Sequence, residues 1–126
     1  MFKDSKAYSG FSVNDLAAAK KFYGETLGLD VSENQMGLAI SLASGAHIFV
    51  YPKSDHTPAT YTILNFPVVD INKAVADLKA KGITFKQYEG LTDDQNIARG
   101  LSRNQGPDIA WFTDPAGNIL SVLQES

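Results

Sequence analysis

At 126 residues, with 44% hydrophobic and 20% charged side chains, the chain has the size and composition of a single globular domain, which excludes disorder and fibrous architecture. A net charge of -3 with no block of either sign argues against nucleic acid or an anionic membrane as a partner. No cysteine is present, so disulfides, thiolate nucleophiles and zinc-thiolate sites are excluded; the charged opening Met1 to Lys6, with no apolar run of spanning length after it, leads us to expect a cytoplasmic protein.

In chain order, Ala7 to Val13 reads as a strand. Asp15 then caps a helix whose apolar residues Leu16, Ala19, Phe22 and Tyr23 recur at helical spacing. Three extended stretches follow, Leu29 to Glu33, Leu38 to Leu42 and His47 to Tyr51, joined by turn-prone Asn34 to Gly37 and Ser44-Gly45. The plan then repeats. Thr62 to Val68 reads as a strand, and Asp70 caps a helix with Ile71, Ala74, Val75 and Leu78 on one face and Gly82 at its end. Ile83 to Glu89, Ile109 to Thr113 and Ile119 to Gln124 complete the second half. The two capping aspartates stand 55 positions apart, whereas the closing strands match at an offset of 72, so about 17 extra residues fall in 90–107. Loops of that length in compact domains are usually functional or disordered.

The expected fold class is therefore α+β: two tandem βαβββ modules, about 7–52 and 60–125, within one domain over 1–126. Strand alternation assigns the faces. Phe11 and Val13, Ile48 and Val50, Leu64 and Phe66, and Leu120 and Val122 form an apolar set that should face the helices. The opposite set mixes aromatics with single polar groups: Tyr8, Gly10 and Ser12; His47, Phe49 and Tyr51; Tyr61, Ile63 and Asn65; Ser121 and Leu123. That pattern suits a ligand cleft or, equally, packing against a partner subunit.

Phe11-Ser12-Val13-Asn14-Asp15-Leu16 leading into Phe22-Tyr23-Gly24-Glu25-Thr26-Leu27-Gly28-Leu29, with Trp111-Phe112-Thr113-Asp114-Pro115-Ala116-Gly117-Asn118 before the last strand, resembles the vicinal oxygen chelate superfamily. That superfamily includes glyoxalase I, extradiol dioxygenases, fosfomycin-modifying enzymes and the bleomycin-resistance proteins. The resemblance covers nearly the whole chain and implies a curved mixed sheet around a cleft with helices on the outer face. Asp114 to Asn118 itself reads as a strand-joining turn, and Phe22-Tyr23 as helix packing.

Metal-dependent members hold a divalent ion with His or Glu from the first and last strands of each half. Read onto this chain, those positions are Tyr8, Ile63, Phe49 and Ser121, none of them a customary ligand. His47, on the same face, is a single imidazole, and a lone His in a strand is more often packed or hydrogen-bonded. His56 follows Pro52 to Asp55 in a polar connector and reads as a solvated loop residue. No phosphate loop, nucleophile elbow or zinc-binding helix motif is present. Ser121 has no base nearby in sequence, and Glu25 and Glu89 could act as bases only if buried.

The resulting expectation is a metal-independent small-molecule binder without a cofactor. Tyr8, Phe49, Tyr51 and Trp111 would supply planar surfaces, His47, Asn65 and Ser121 would orient the ligand, and Ile63 would line the cleft. Core filling is the alternative for the aromatics. Arg99 and Arg103, in the extra loop, could offer a guanidinium to an anionic ligand or simply be solvated. The alternative function is an enzyme, a lyase or dioxygenase of the glyoxalase type with a rearranged metal site. By resemblance a homodimer is expected.

Overall fold

In a computed structural model that describes all 126 residues, Asp15 and Asp70 begin the two helices in the same way. Each aspartate is extended, and its side chain accepts from the backbone N–H three residues on, Ala18 and Lys73 respectively, at 3.1 Å. This satisfies one of the donors that a helix start leaves without a partner. The chain divides into two compact units, Met1–Pro58 and Ala59–Ser126.

The first unit runs β1 (Ser9–Val13), α1 (Leu16–Lys21), β2 (Asp30–Glu33), β3 (Leu38–Ser41) and β4 (His47–Pro52). Its sheet has the order β1-β4-β3-β2, with β1 and β4 parallel and the other neighbours antiparallel. Val13, Leu38, Ile40 and Val50 are fully buried, together with Ala19 and Tyr23 from the helical segment. The apolar face thus meets the helix, as alternation requires. The helix itself is shorter than its periodicity predicts. After Lys21 the backbone widens into a π turn, Phe22–Thr26, where the Leu27 N–H bonds to the Phe22 carbonyl at 2.9 Å. Gly24 and β-branched Thr26 are weak helix formers, and the wider turn accommodates Tyr23, edge-on to Phe22 at 5.1 Å and tilted against Phe11 at 5.8 Å.

The second unit runs β5 (Thr62–Pro67), α2 (Ile71–Ala80), β6 (Ala98–Arg99), β7 (Asp108–Thr113) and β8 (Ile119–Gln124), with the order β5-β8-β7-β6. The parallel pair is again the outer strand with the last one, β5 with β8. Ile71 and Val75 of α2 are buried with Ala110, Phe112, Leu120 and Val122 of the sheet. At Asp114 to Asn118, the Asp114 carboxylate accepts from the N–H groups of Ala116 and Asn118 and from the Asn118 amide. That is the turn chemistry read from its sequence. The architecture is α+β with two open, four-stranded mixed sheets.

The expected strand Ile83 to Glu89 does not form as a strand. Ile83 and Phe85 do turn inward, and Phe85 bridges Phe112, but the pairing stops there. At Gln87 the side chain donates to the carbonyls of Thr92 and Asp93, and the N–H groups of Leu91 and Thr92 both turn back onto the Tyr88 carbonyl. The chain therefore peels away from β7 and returns ten residues later as β6, which takes the edge position. The 90–107 stretch is thus folded: it contains β6 and a single helical turn, Leu101–Arg103.

Candidate functional site

Two concavities lie on the sheet faces that turn away from the helices, one within each unit. The first, of ≈ 500 Å³, is lined by Tyr8, Met36, Ala39, His47 and Phe49, with Asn34. Local sequence explains its walls. Phe49 stands in register between Gly10 of β1 and Ala39 of β3, so the aromatic has small neighbours on both sides. A Cβ at Gly10 would sit 3.0 Å from the Phe49 carbonyl oxygen, a tight contact that glycine avoids. Asn34 accepts from the N–H groups of Met36 and Gly37 at 2.8 and 3.1 Å, which builds the turn that presents Met36. A Cβ at Gly37 would collide with the Val50 carbonyl oxygen.

Polar groups border this aromatic floor. His47 is exposed, with its Nδ1 3.3 Å from the Ser41 hydroxyl. Tyr51 stacks on Phe49 with centroids 5.6 Å apart and planes inclined by 20°. Tyr8 precedes β1 and is 71% exposed. Further along the same face, the Ser12 hydroxyl and His56 Nδ1 lie 2.6 Å apart. His56 is therefore held against β1 rather than being a solvated loop residue, a contact across 44 positions that local pattern could not reveal.

The second concavity, of ≈ 210 Å³, is lined by Tyr61, Thr62, Tyr88, Leu91, Trp111 and Ile119, with Thr60. Trp111 meets Tyr88 edge-on at 5.4 Å. Beside it, one rung of the sheet reads Asn65, Ser121, Trp111 across β5, β8 and β7. Ser121 is fully buried and its hydroxyl donates to Asn65 Oδ1 at 2.5 Å. Ile63 falls at an irregularity: Thr62 pairs with Ile119 and Leu64 with Leu120, so Ile63 is the extra residue of a bulge. The bulge brings Thr62, not Ile63, to the wall of the concavity.

The predicted residues thus fall into two groups. Tyr8, His47 and Phe49, with Tyr51 stacked beside them, belong to the first unit; Trp111, Asn65 and Ser121 belong to the second. Met36, Thr62, Tyr88 and Leu91 went unnoticed in the sequence because a turn, a bulge and a folded loop set their positions. Arg99 is engaged by protein groups. Its guanidinium bonds to Asp93, Asn72 and Gln95, with Asp108 3.6 Å away.

Groups of three or more His, Cys, Asp or Glu side chains that could share a cation do not occur. With Tyr8, Phe49, Ile63 and Ser121 at the expected ligand positions, the donor set does not fit a divalent metal there.

Residues 7–122 match the Glyoxalase/Bleomycin resistance protein/Dioxygenase superfamily. Among solved structures, the chain is similar to a member of that superfamily from Sphaerobacter thermophilus, at 22% identity over 98% of this chain and 99% of that one, TM-score 0.71. A glyoxalase family protein from Enterococcus faecalis is 22% identical over 98% and 99%, TM-score 0.68. The fosfomycin resistance protein FosX from Listeria monocytogenes is 14% identical over 95% and 92%, TM-score 0.68. At these identities the likeness is one of fold. No curated protein sequence matches the chain significantly.

Proposed function

Because the chain belongs to the Glyoxalase/Bleomycin resistance protein/Dioxygenase superfamily and yet carries no metal-binding donor set, we propose that it is a metal-independent small-molecule binding protein. The observation that carries this reading is the ≈ 500 Å³ concavity of the first unit, floored by Phe49 and flanked by Tyr8, Met36 and His47. Its volume lies in the range of ligand pockets, roughly 300 to 1,000 Å³. A flat apolar floor with few polar groups suits a planar ligand: Phe49 and Tyr51 offer stacking area, and the His47 imidazole and Tyr8 hydroxyl offer directional hydrogen bonds. Such a site orients and sequesters, because no nucleophile, paired carboxylate or cation centre accompanies it. We further infer that the chain works as a homodimer.

Native mass spectrometry of the protein as isolated tests the reading. A retained organic mass, released on denaturation and diminished in Phe49→Ala and His47→Gln, is the expected result. A stoichiometric divalent metal lost on His47→Ala would overturn it in favour of a lyase or dioxygenase with a rearranged centre.

A further inference from the structure

Of the polar groups that line the first concavity, Asn34 alone has a fixed hydrogen-bond polarity. Its Oδ1 stands against two backbone N–H groups, those of Met36 at 2.8 Å and Gly37 at 3.1 Å. Both neighbours are donors, so the amide oxygen must face them and the nitrogen must face away. The Asn34 N–H closes the same turn on the Gly37 carbonyl at 2.9 Å, and Gly37 packs against Val50 and Tyr51, where a Cβ would collide. The turn thus holds Asn34 at the wall of the concavity with its Nδ2–H donors free of protein partners. The other polar groups there are ambivalent. The Tyr8 hydroxyl can give or accept, and the His47 ring, with Nδ1 3.3 Å from the Ser41 hydroxyl, presents at Nε2 either a proton or a lone pair. No Asp, Glu, Lys or Arg side chain shares the wall.

We propose that the ligand of this concavity is a planar aromatic that presents a hydrogen-bond acceptor, a ring nitrogen or a carbonyl oxygen, to Asn34 Nδ2 while its ring lies on Phe49. The proposal rests on the small-molecule reading above and adds the chemical class of the ligand. A ligand that brought its own N–H or O–H to Asn34 would set donor against donor, and both groups would give up hydrogen bonds to water without replacement. Polar sites discriminate most strongly by such mismatches, because a group left unpaired costs more than a missing apolar contact. Gly10 and Ala39 on either side of Phe49 leave its ring accessible, and Met36 supplies a polarizable thioether that favours contact with an aromatic ring. Asn34 and Met36 act as one unit: the side chain whose oxygen builds the turn under Met36 has, for that reason, only its N–H groups left for the ligand.

The experiment titrates the isotope-labelled full chain at neutral pH with quinoline and with indole, followed by nuclear magnetic resonance. Both are planar fused rings, but the quinoline nitrogen accepts a hydrogen bond and the indole nitrogen donates one. Quinoline is expected to shift the backbone amide of Phe49 and the side-chain amide of Asn34 saturably; indole should move Phe49 and leave the Asn34 side chain near its free position. Asn34→Asp keeps an oxygen for both turn N–H groups and puts a second oxygen where the donors were. It should lower the ratio of quinoline to indole affinity about fivefold or more, the equivalent of one ordinary hydrogen bond, with the amides of the second unit unmoved. Taking the ratio cancels any difference in how well the two rings stack. A ratio that the substitution leaves unchanged, or quinoline moving Phe49 but not the Asn34 side-chain amide, overturns the proposal and leaves the small-molecule reading standing. Neither compound moving Phe49 also overturns it; the small-molecule reading itself fails only if the isolated protein retains no organic mass as well.

Discussion

The Arg99 guanidinium meets Asp93 at 2.9 Å through Nε, and Asn72 at 2.7 Å and Gln95 at 3.0 Å through one terminal nitrogen. Asp108 lies 3.6 Å from the other terminal nitrogen, and its carboxylate also accepts from the Leu101 N–H. Burial alone would push the Asp93 carboxyl up, but Arg99 and the N–H groups of Ile97 and Gln95 outweigh it and hold the carboxyl below its usual range. A depressed carboxyl contributes stability above its unfolded value, about pH 4, and loses that contribution as pH falls through the lower folded value. Arg99→Gln should therefore cost about 2 kcal/mol near neutral pH, as expected for hydrogen bonds to charged groups. The gap between variant and parent in urea melts should narrow below about pH 4. A gap that stays constant across that range would show the pair to be energetically idle. From the sequence, Arg99 read as a solvated loop residue or a ligand contact, because its partner Asn72 is 27 positions away. Alternation put Ser121 and Asn65 on one face, yet their hydrogen bond across 56 positions depends on tertiary geometry.

Elements governed by local chemistry were the legible ones. Both helix starts follow from an aspartate before an apolar period, and Asp70→Ala should cost about 1 kcal/mol in thermal or chemical melts through loss of the bond to the Lys73 N–H. An unchanged melt would mean that solvent replaces the cap without loss. Strands that alternate cleanly were also readable, since one face of each had to meet a helix. Where a side chain outside the strand interferes, the reading fails. Ile83 to Glu89 has a fair alternation, but Thr92 accepts from the Tyr88 N–H at 2.9 Å and donates to the Tyr88 carbonyl at 3.1 Å, closing a turn that ends the pairing. Thr92→Val removes both bonds at nearly constant volume. Hydrogen exchange should then accelerate at Leu91 and Thr92, and at Lys86, whose N–H bonds to the Trp111 carbonyl, while amides in the first unit keep their rates. Uniform protection throughout would show that the turn is held by something other than Thr92. The bulge at Ile63 escaped for a different reason: its one-residue shift is absorbed inside a strand whose remaining register is regular.

At the scale of the whole molecule, the two units share a plan but have exchanged their large and small side chains. In the first, Phe49 on the last strand stands between Gly10 and Ala39; in the second, Ser121 at the equivalent place stands between Asn65 and Trp111. The aromatic has moved from one strand to its neighbour, which makes one face an open apolar floor and the other a smaller recess walled by Trp111 and Tyr88. Both faces leave large apolar side chains in solvent: Tyr8 and Met36 at 71% and 72% exposed, and Tyr61 at 70%. Monomeric proteins rarely leave such residues grouped, because burying apolar area gains about 25 cal/mol per Å². A second copy of the chain is the simplest cover, since the same patches are present on it and closed two-fold pairing is the commonest assembly. Sedimentation at micromolar concentration should therefore give twice the 13.6 kDa chain mass, and Tyr61→Asp, which places a charge on an exposed ring, should shift the balance toward the single chain without lowering helix content. A monomer at every accessible concentration would leave ligand alone to cover these faces, and the melting temperature should then rise steeply with ligand and not with protein concentration.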